Sequence, residues 1–319
     1  MDLAVADSAD GETDADANLM TVAPAGSAKT ALLIGNDPEL ESALSSVLNP
    51  EGWSLHKAPS NDAAFALVKE RACDLVITGR HTSGREDVAF LRRIRSVNPH
   101  TRMIILADNS TPADVIASMR EYAFGYLSKS FSMESLSEIV QMALESPAWD
   151  DGIEVVSATP EWIKLHVSCE RQTADRLLFF MREIADLNLP EDERRDVGMA
   201  FREILLNAME HGGHFDPTQY VAISYVRTNH MVMCRIKDPG QGFSLEEIRH
   251  AAFSNPPDDP TAHVAIRDQQ GMRPGGYGVM LAKHLVDDLV YGEKGNEVLL
   301  VKYLDRAASK KPVNAPSRH

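Results

Sequence analysis

Residues 203–212 read EILLNAMEHG and residues 238–242 read DPGQG, and the fold of the carboxyl-terminal half turns on how these stretches combine with GGYG at 275–278. The first has the spacing of a helix, on which Glu203, Asn207 and, one turn on, Glu210 or His211 share a polar side. The second follows an apolar run directly. It sets a carboxylate, Asp238, ahead of Gly240 and Gly242, which let backbone approach a flat ring closely. The third opens a helix with glycines at Gly275, Gly276 and Gly278, leaving free N–H groups and the positive dipole end toward an anion. Each piece alone is commonplace. Together, in this order and within about 75 residues by count of the sequence, they specify a nucleotide pocket: a carboxylate for the adenine amino group, and a helix start for a triphosphate.

Working outward, IEVVSAT and IKLHVSC read as strands, and ADRLLFFMREIADLN and EDERRDVGMAFREILLNAMEHG as two long helices. YVAISYVRTNHMVMCRIKD forms a hairpin with Thr228 and Asn229 at its turn. A loop-rich stretch over about 253–275 precedes a helix at YGVMLAKHLVDD, and DLVYG and NEVLLVKYL close the chain as a strand pair. Strands and helices do not alternate here, so an α+β layer with helices on one face is expected.

Upstream the texture differs. From Thr30, short apolar runs (ALLIG, WSLHKA, DLVITG, RMIILAD, GYLSK) alternate with helix-spaced segments, one of them opened by Asn61. Five strand–helix units in about 120 residues specify a parallel sheet covered on both faces. The expected organisation is an acidic disordered tail at 1–28, an α/β domain at 29–147, an α+β domain at 148–305 and a basic disordered tail at 306–319.

The 319 residues carry a formal net charge of −15, which disfavours nonspecific nucleic-acid binding. No apolar run reaches membrane-spanning length and the first residues are acidic, so no membrane partner and a cytoplasmic protein are expected. Cys73, Cys169 and Cys234 are scattered and match neither a disulfide framework nor a zinc site; each reads as a small core residue.

The three pieces in the second half resemble the N, G1 and G2 boxes of the GHKL ATPase superfamily, with the segment before Gly275 as a nucleotide lid. Within that superfamily the pattern E-x-x-x-N-A-x-x-H-G, hairpin, D-x-G-x-G, short lid and G-x-G, from Glu203 to Gly278, resembles anti-sigma-factor serine kinases. The resemblance implies a GHKL-type α/β sandwich binding ATP and Mg2+. Asn207 would hold the metal and Asp238 would read adenine. His211, Gly240, Gly242, Gly275, Gly276, Tyr277 and Gly278 would line the pocket, and Arg273 would neutralise γ-phosphate charge. Glu203 would be the general base that takes a serine proton. The implied activity is a protein serine/threonine kinase acting on an anti-anti-sigma-like protein, with a sigma factor as a second client. A homodimer is compatible with this, and the sequence leaves the oligomeric state open. The alternative is an ATP-gated binding module without turnover. A histidine kinase is disfavoured, because His166 lies in a strand pattern and the helix after it has no histidine.

The first half resembles a response-regulator receiver, a flavodoxin-like doubly wound sheet with its chemistry at the carboxyl ends of strands. Against that pattern the magnesium-binding acidic pair falls on Gly35 and Asn36, the phosphoacceptor on Gly79 and the hydroxyl on Ala107; only Lys129 matches. Glycine is no acyl-phosphate nucleophile, so a pseudo-receiver that docks to a partner or to the ATPase domain is expected.

Overall fold

The computed structural model describes residues 29–48, 52–79, 84–108, 110–128, 131–146, 152–185, 189–242 and 277–304, with isolated positions at 259, 262, 265 and 269. Both tails, Lys129, and the expected lid residues Arg273, Gly275 and Gly276 lie outside the described residues.

The amino-terminal layer runs β1 (Lys29–Ile34), α1 (Pro38–Val47), β2 (Trp53–Ala58), α2 (Asn61–Glu70), β3 (Leu75–Ile77), α3 (Gly84–Val97), β4 (Arg102–Ala107), α4 (Pro112–Arg120), β5 (Gly125–Ser128) and α5 (Met133–Glu145). Its five strands are parallel in the order β2-β1-β3-β4-β5. The middle strands are buried along their length, from Ala31 to Ile34 and from Leu75 to Ile77, which is why they read as unbroken apolar runs. Helix starts follow local chemistry. Asp37 caps α1 by accepting from the N–H groups of Glu39 and Leu40, and Thr111 and Asp114 form a reciprocal box at α4. The cap of α2 is Ser60, accepting from Ala63 N, so Asn61 is the first helical residue and not the cap.

The carboxyl-terminal layer runs β6 (Ile153–Thr159), β7 (Trp162–Ser168), α6 (Arg171–Ile184), α7 (Glu191–Asn207), a π-helical turn (Ala208–Gly212), β8 (Tyr220–Arg227), β9 (Met231–Lys237), α8 (Gly278–Leu285), β10 (Asp288–Tyr291) and β11 (Glu297–Tyr303). Its six strands are antiparallel throughout, in the order β10-β11-β9-β8-β7-β6. Alternate residues (Ile163, Leu165, Val167; Val221, Ile223, Tyr225; Val232, Cys234, Ile236) turn inward and join the apolar sides of α6 and α7 in one core. All three cysteines are buried free thiols.

Helix α6 joins the two layers. Nine of its residues are buried, including Arg176, Phe179 and Phe180, so it is covered on most sides, with Arg171, Asp175 and Arg182 along the open one. Phe180 and Ile184 belong to the core shared with the antiparallel sheet. Phe179 instead sits among Phe124, Leu127 and Leu136 of the parallel layer, and the Arg176 guanidinium lies 5.2 Å over the Phe124 ring. Helix α4 also meets β6, where Arg120 donates to the carbonyl of Ala158 at 3.4 Å. Among the two dockings expected for the first domain, the structure shows the one onto its own chain.

Candidate functional site

Two clusters form at and just beyond the carboxyl end of α7. At the first, Glu203 and Asn207, both half-buried and one turn apart, face the amino terminus of α8. A β-carbon placed on Gly278 would stand 2.6 Å from Glu203 Oε2 and 3.4 Å from Asn207 Nδ2. Only glycine therefore fits there without pushing the carboxylate away. Tyr277, just before, is 42% exposed.

The second cluster surrounds Asp238, which leaves the end of β9. Its Oδ1 accepts from the Gly240 N–H at 2.8 Å, and a β-carbon on Gly240 would lie 2.9 Å from that same oxygen. Gly212, the last residue of the π-helical turn, abuts the Asp238 carboxylate, and a side chain there would overlap it. Burial raises the Asp238 carboxyl from its ordinary value, against the lowering effect of the Gly240 N–H and of Lys237. Gly242 adopts φ +83° with its α-carbon against the carbonyl of Lys294, a conformation and an approach that both require glycine. Asn296 completes the loop by donating its Nδ2 to Gly240 O at 3.3 Å and its carbonyl accepts from Asp238 N at 3.0 Å.

A strained segment connects the two clusters. After Asn207 the helix widens into a π turn, a feature that often accompanies functional sites. His214 (φ 53°) and Phe215 (φ 51°) then take left-handed backbone, costing about 1–3 kcal/mol each. The turn is held by Gly213 N–H to Ala208 O at 3.1 Å and Phe215 N–H to Met209 O at 2.9 Å. His211 sits exposed on this turn, off the half-buried row of Glu203 and Asn207. The donor set suits a nucleotide with magnesium. An Asn side-chain amide, whose oxygen is the metal-binding atom, and a carboxylate flank a glycine-started helix, and Mg2+ needs few protein ligands because it keeps phosphate and water oxygens.

Gly212, Lys294 and Asn296 were not singled out by sequence reading. Gly212 carried a visible signal, since it ends the E-x-x-x-N-A-x-x-H-G run. The β10–β11 turn carried none, because its closeness to Gly242 and Gly240 is created only by the pairing of β9 with β11.

In the amino-terminal layer Gly35, Asn36 and Gly79 at the strand ends border a cavity of about 500 Å³, together with Asp37, Asn61 and Phe90. Gly35 has φ +106°, and a β-carbon on Gly79 would overlap the carbonyl oxygen of Ile34. Asp37, one position beyond the expected pair, is committed to capping α1 at 3.0–3.1 Å. A carboxylate is thus missing at each expected position, and at Gly79 there is no room for one.

Comparison with known proteins agrees with both layers. Residues 31–141 match the model of the response regulator receiver domain, and residues 168–302 that of the histidine kinase-like ATPase domain. The second half is similar to the anti-sigma F factor of Geobacillus sp. (strain WCH70), 28% identical over 128 residues, which is 39% of this chain and 79% of that protein. The first half is similar to the transcriptional regulatory protein GlrR of Escherichia coli (strain K12), 27% identical over 138 residues, or 42% of this chain and 31% of that protein. The chain thus spans less than a third of the length of that regulator. A response regulator from Thermotoga maritima of known structure is 24% identical, covering 37% of this chain and 99% of that one with a TM-score of 0.33. Among the described residues no helix is long and apolar enough to cross a membrane. From the two layers and the two family matches, the chain carries a response-regulator receiver domain followed by a histidine kinase-like ATPase domain of the GHKL superfamily.

Proposed function

We propose that this chain is an ATP-dependent protein serine/threonine kinase of the anti-sigma type, with residues 29–147 as a non-phosphorylatable receiver-like regulator and residues 148–305 as the kinase. The observation that carries this reading is the convergence of Glu203 Oε2 and Asn207 on Gly278 at the start of α8. That arrangement supports a carboxylate beside the phosphates and away from the adenine end, which Asp238 marks.

Bound ATP supplies the phosphoryl group. Glu203 accepts the proton of the attacking serine hydroxyl, so that the new P–O bond forms on a nucleophile losing its proton while ADP leaves. Asn207 would hold the Mg2+, which would neutralise phosphate charge, Asp238 would accept from the adenine amino group, and Gly240, Gly242 and Gly278 would keep backbone close to the ligand. His211, Tyr277 and, outside the described residues, Arg273, Gly275 and Gly276 complete the pocket. The substrate is an anti-anti-sigma-like protein, a sigma factor is a second client, and the setting is the cytoplasm, in keeping with three free thiols.

The test is to incubate the full-length chain with labelled ATP, Mg2+ and purified anti-anti-sigma-like proteins, and to map the label. Phosphoserine or phosphothreonine in one of them is the expected result. ATP-dependent binding with no transfer across a fair set of candidates would replace the kinase by an ATP-gated binding module.

A further inference from the structure

Helix α6 touches three things at once. On one side it is seated in the receiver: Phe179 is 5% exposed within the cluster of Phe124 and Leu127, Arg176 covers the Phe124 ring, and Gln172 Oε1 accepts from Ser146 Oγ at 3.4 Å. On the other, Asp175 accepts from Arg202 of α7 at 3.0 Å through Nε and 2.9 Å through Nη2, and Arg202 is the neighbour of Glu203. At its amino end, the Arg171 guanidinium lies 5.0 Å over the ring of Phe215. Phe215 belongs to the left-handed pair that clamps the π turn, and the π turn ends on Gly212 against Asp238.

We propose that α6 makes the receiver a built-in positive effector of the nucleotide pocket: its seat on β5 is transmitted through Arg171 to the strained turn at His214 and Phe215, and from there to Asp238. This rests on the reading of the pocket as a nucleotide site. A helix of 14 residues is a stiff rod about 20 Å long, so a shift at Phe179 is felt at Arg171. Left-handed backbone at two non-glycine residues persists only where surrounding contacts hold it, and the Arg171–Phe215 stack is such a contact. The scheme gives the receiver a role that needs no phosphoacceptor. The state controlled is docked against undocked, and the nucleotide, by reciprocity, favours docking.

Calorimetry with Mg-ATP and amide hydrogen exchange on the full-length chain test this. Arg171→Ala leaves the pocket residues intact and is expected to weaken Mg-ATP about two- to fivefold, the range of an exposed cation–π contact. Phe179→Ala is expected to weaken it as well, and the double variant to lose less than the product of the two, because both act on one path. In the wild type, Mg-ATP is expected to slow exchange in α4 and β5, and in Arg171→Ala this slowing is expected to disappear. If Phe179→Ala does not fold, the Arg171→Ala comparison and the exchange data still decide. Exchange in β5 unchanged by bound Mg-ATP overturns the coupling alone, whereas no Mg-ATP binding by the wild type overturns the nucleotide reading with it.

Discussion

Gly212 lies so close to the carboxylate of Asp238 that any side chain at Gly212 would displace Asp238 Oδ1. The relationship joins the end of α7 to the end of β9, two elements related in sequence only by the hairpin between them. Gly212→Ala is therefore expected to move Asp238 out of line with the Gly240 N–H and to reduce nucleotide affinity at least about tenfold, the equivalent of one charge-assisted hydrogen bond. Circular dichroism should show an unchanged fold. Wild-type affinity in this variant would mean that Asp238 does not read the ligand.

Asp238 itself should show opposite effects on stability and binding. Its folded-state carboxyl is raised by burial, so the folded chain holds that proton more tightly than the unfolded chain. Its contribution to stability is then neutral below the unfolded value, and becomes unfavourable as pH rises through the window up to the folded value. Asp238→Asn removes this penalty while keeping an acceptor for Gly240 N–H. The ligand-free variant should melt higher than the wild type at neutral pH, and the difference should shrink on acidification. ATP affinity should fall by about 1.5–3 kcal/mol, the usual loss for a charge-assisted bond. In the wild type, affinity should fall as pH drops below the raised value, and in the variant this dependence should be absent.

At the receiver strand ends, Gly79→Asp should fail to restore phosphorylation. The new β-carbon would overlap Ile34 O, a backbone atom, so the change should destabilise the domain by about 1–3 kcal/mol, as overpacking does. Acetyl phosphate should leave the mass of both wild type and variant unchanged. A hydroxylamine-labile adduct in the variant would show that the strand end can make room for a side chain at 79.

Much of this was legible in the sequence, for identifiable reasons. The runs at 31–34 and 75–77 announce buried parallel strands, because strands covered on both faces carry no polar alternation. The pairing of Glu203 with Asn207 follows from one helical turn, whereas Gly278 joins them through the resemblance to the three boxes. The run LLFFM at 177–181 signals a helix buried on more than one side, yet nothing local says that Phe179 faces the receiver while Phe180 faces the antiparallel sheet. The π turn was also invisible. One extra residue in the winding after Asn207 separates His211 from the polar row on which regular spacing had put it. The glycine at 79 read as a lost aspartate, and only the position of Ile34 O shows that glycine is required there.

Glu203, proposed as the proton acceptor of the phosphoryl transfer, is probed by Glu203→Gln. Glutamine has the same shape and fits the half-buried place beside Gly278, so fold and nucleotide pocket should persist. Transfer of phosphate from Mg-ATP to the protein substrate should be measured in a single turnover, with ATP affinity determined alongside. Affinity should be unchanged and the rate reduced about 10²–10⁴-fold, the usual contribution of a positioned base. Transfer at the wild-type rate, with the same affinity, would contradict the proposed role of Glu203.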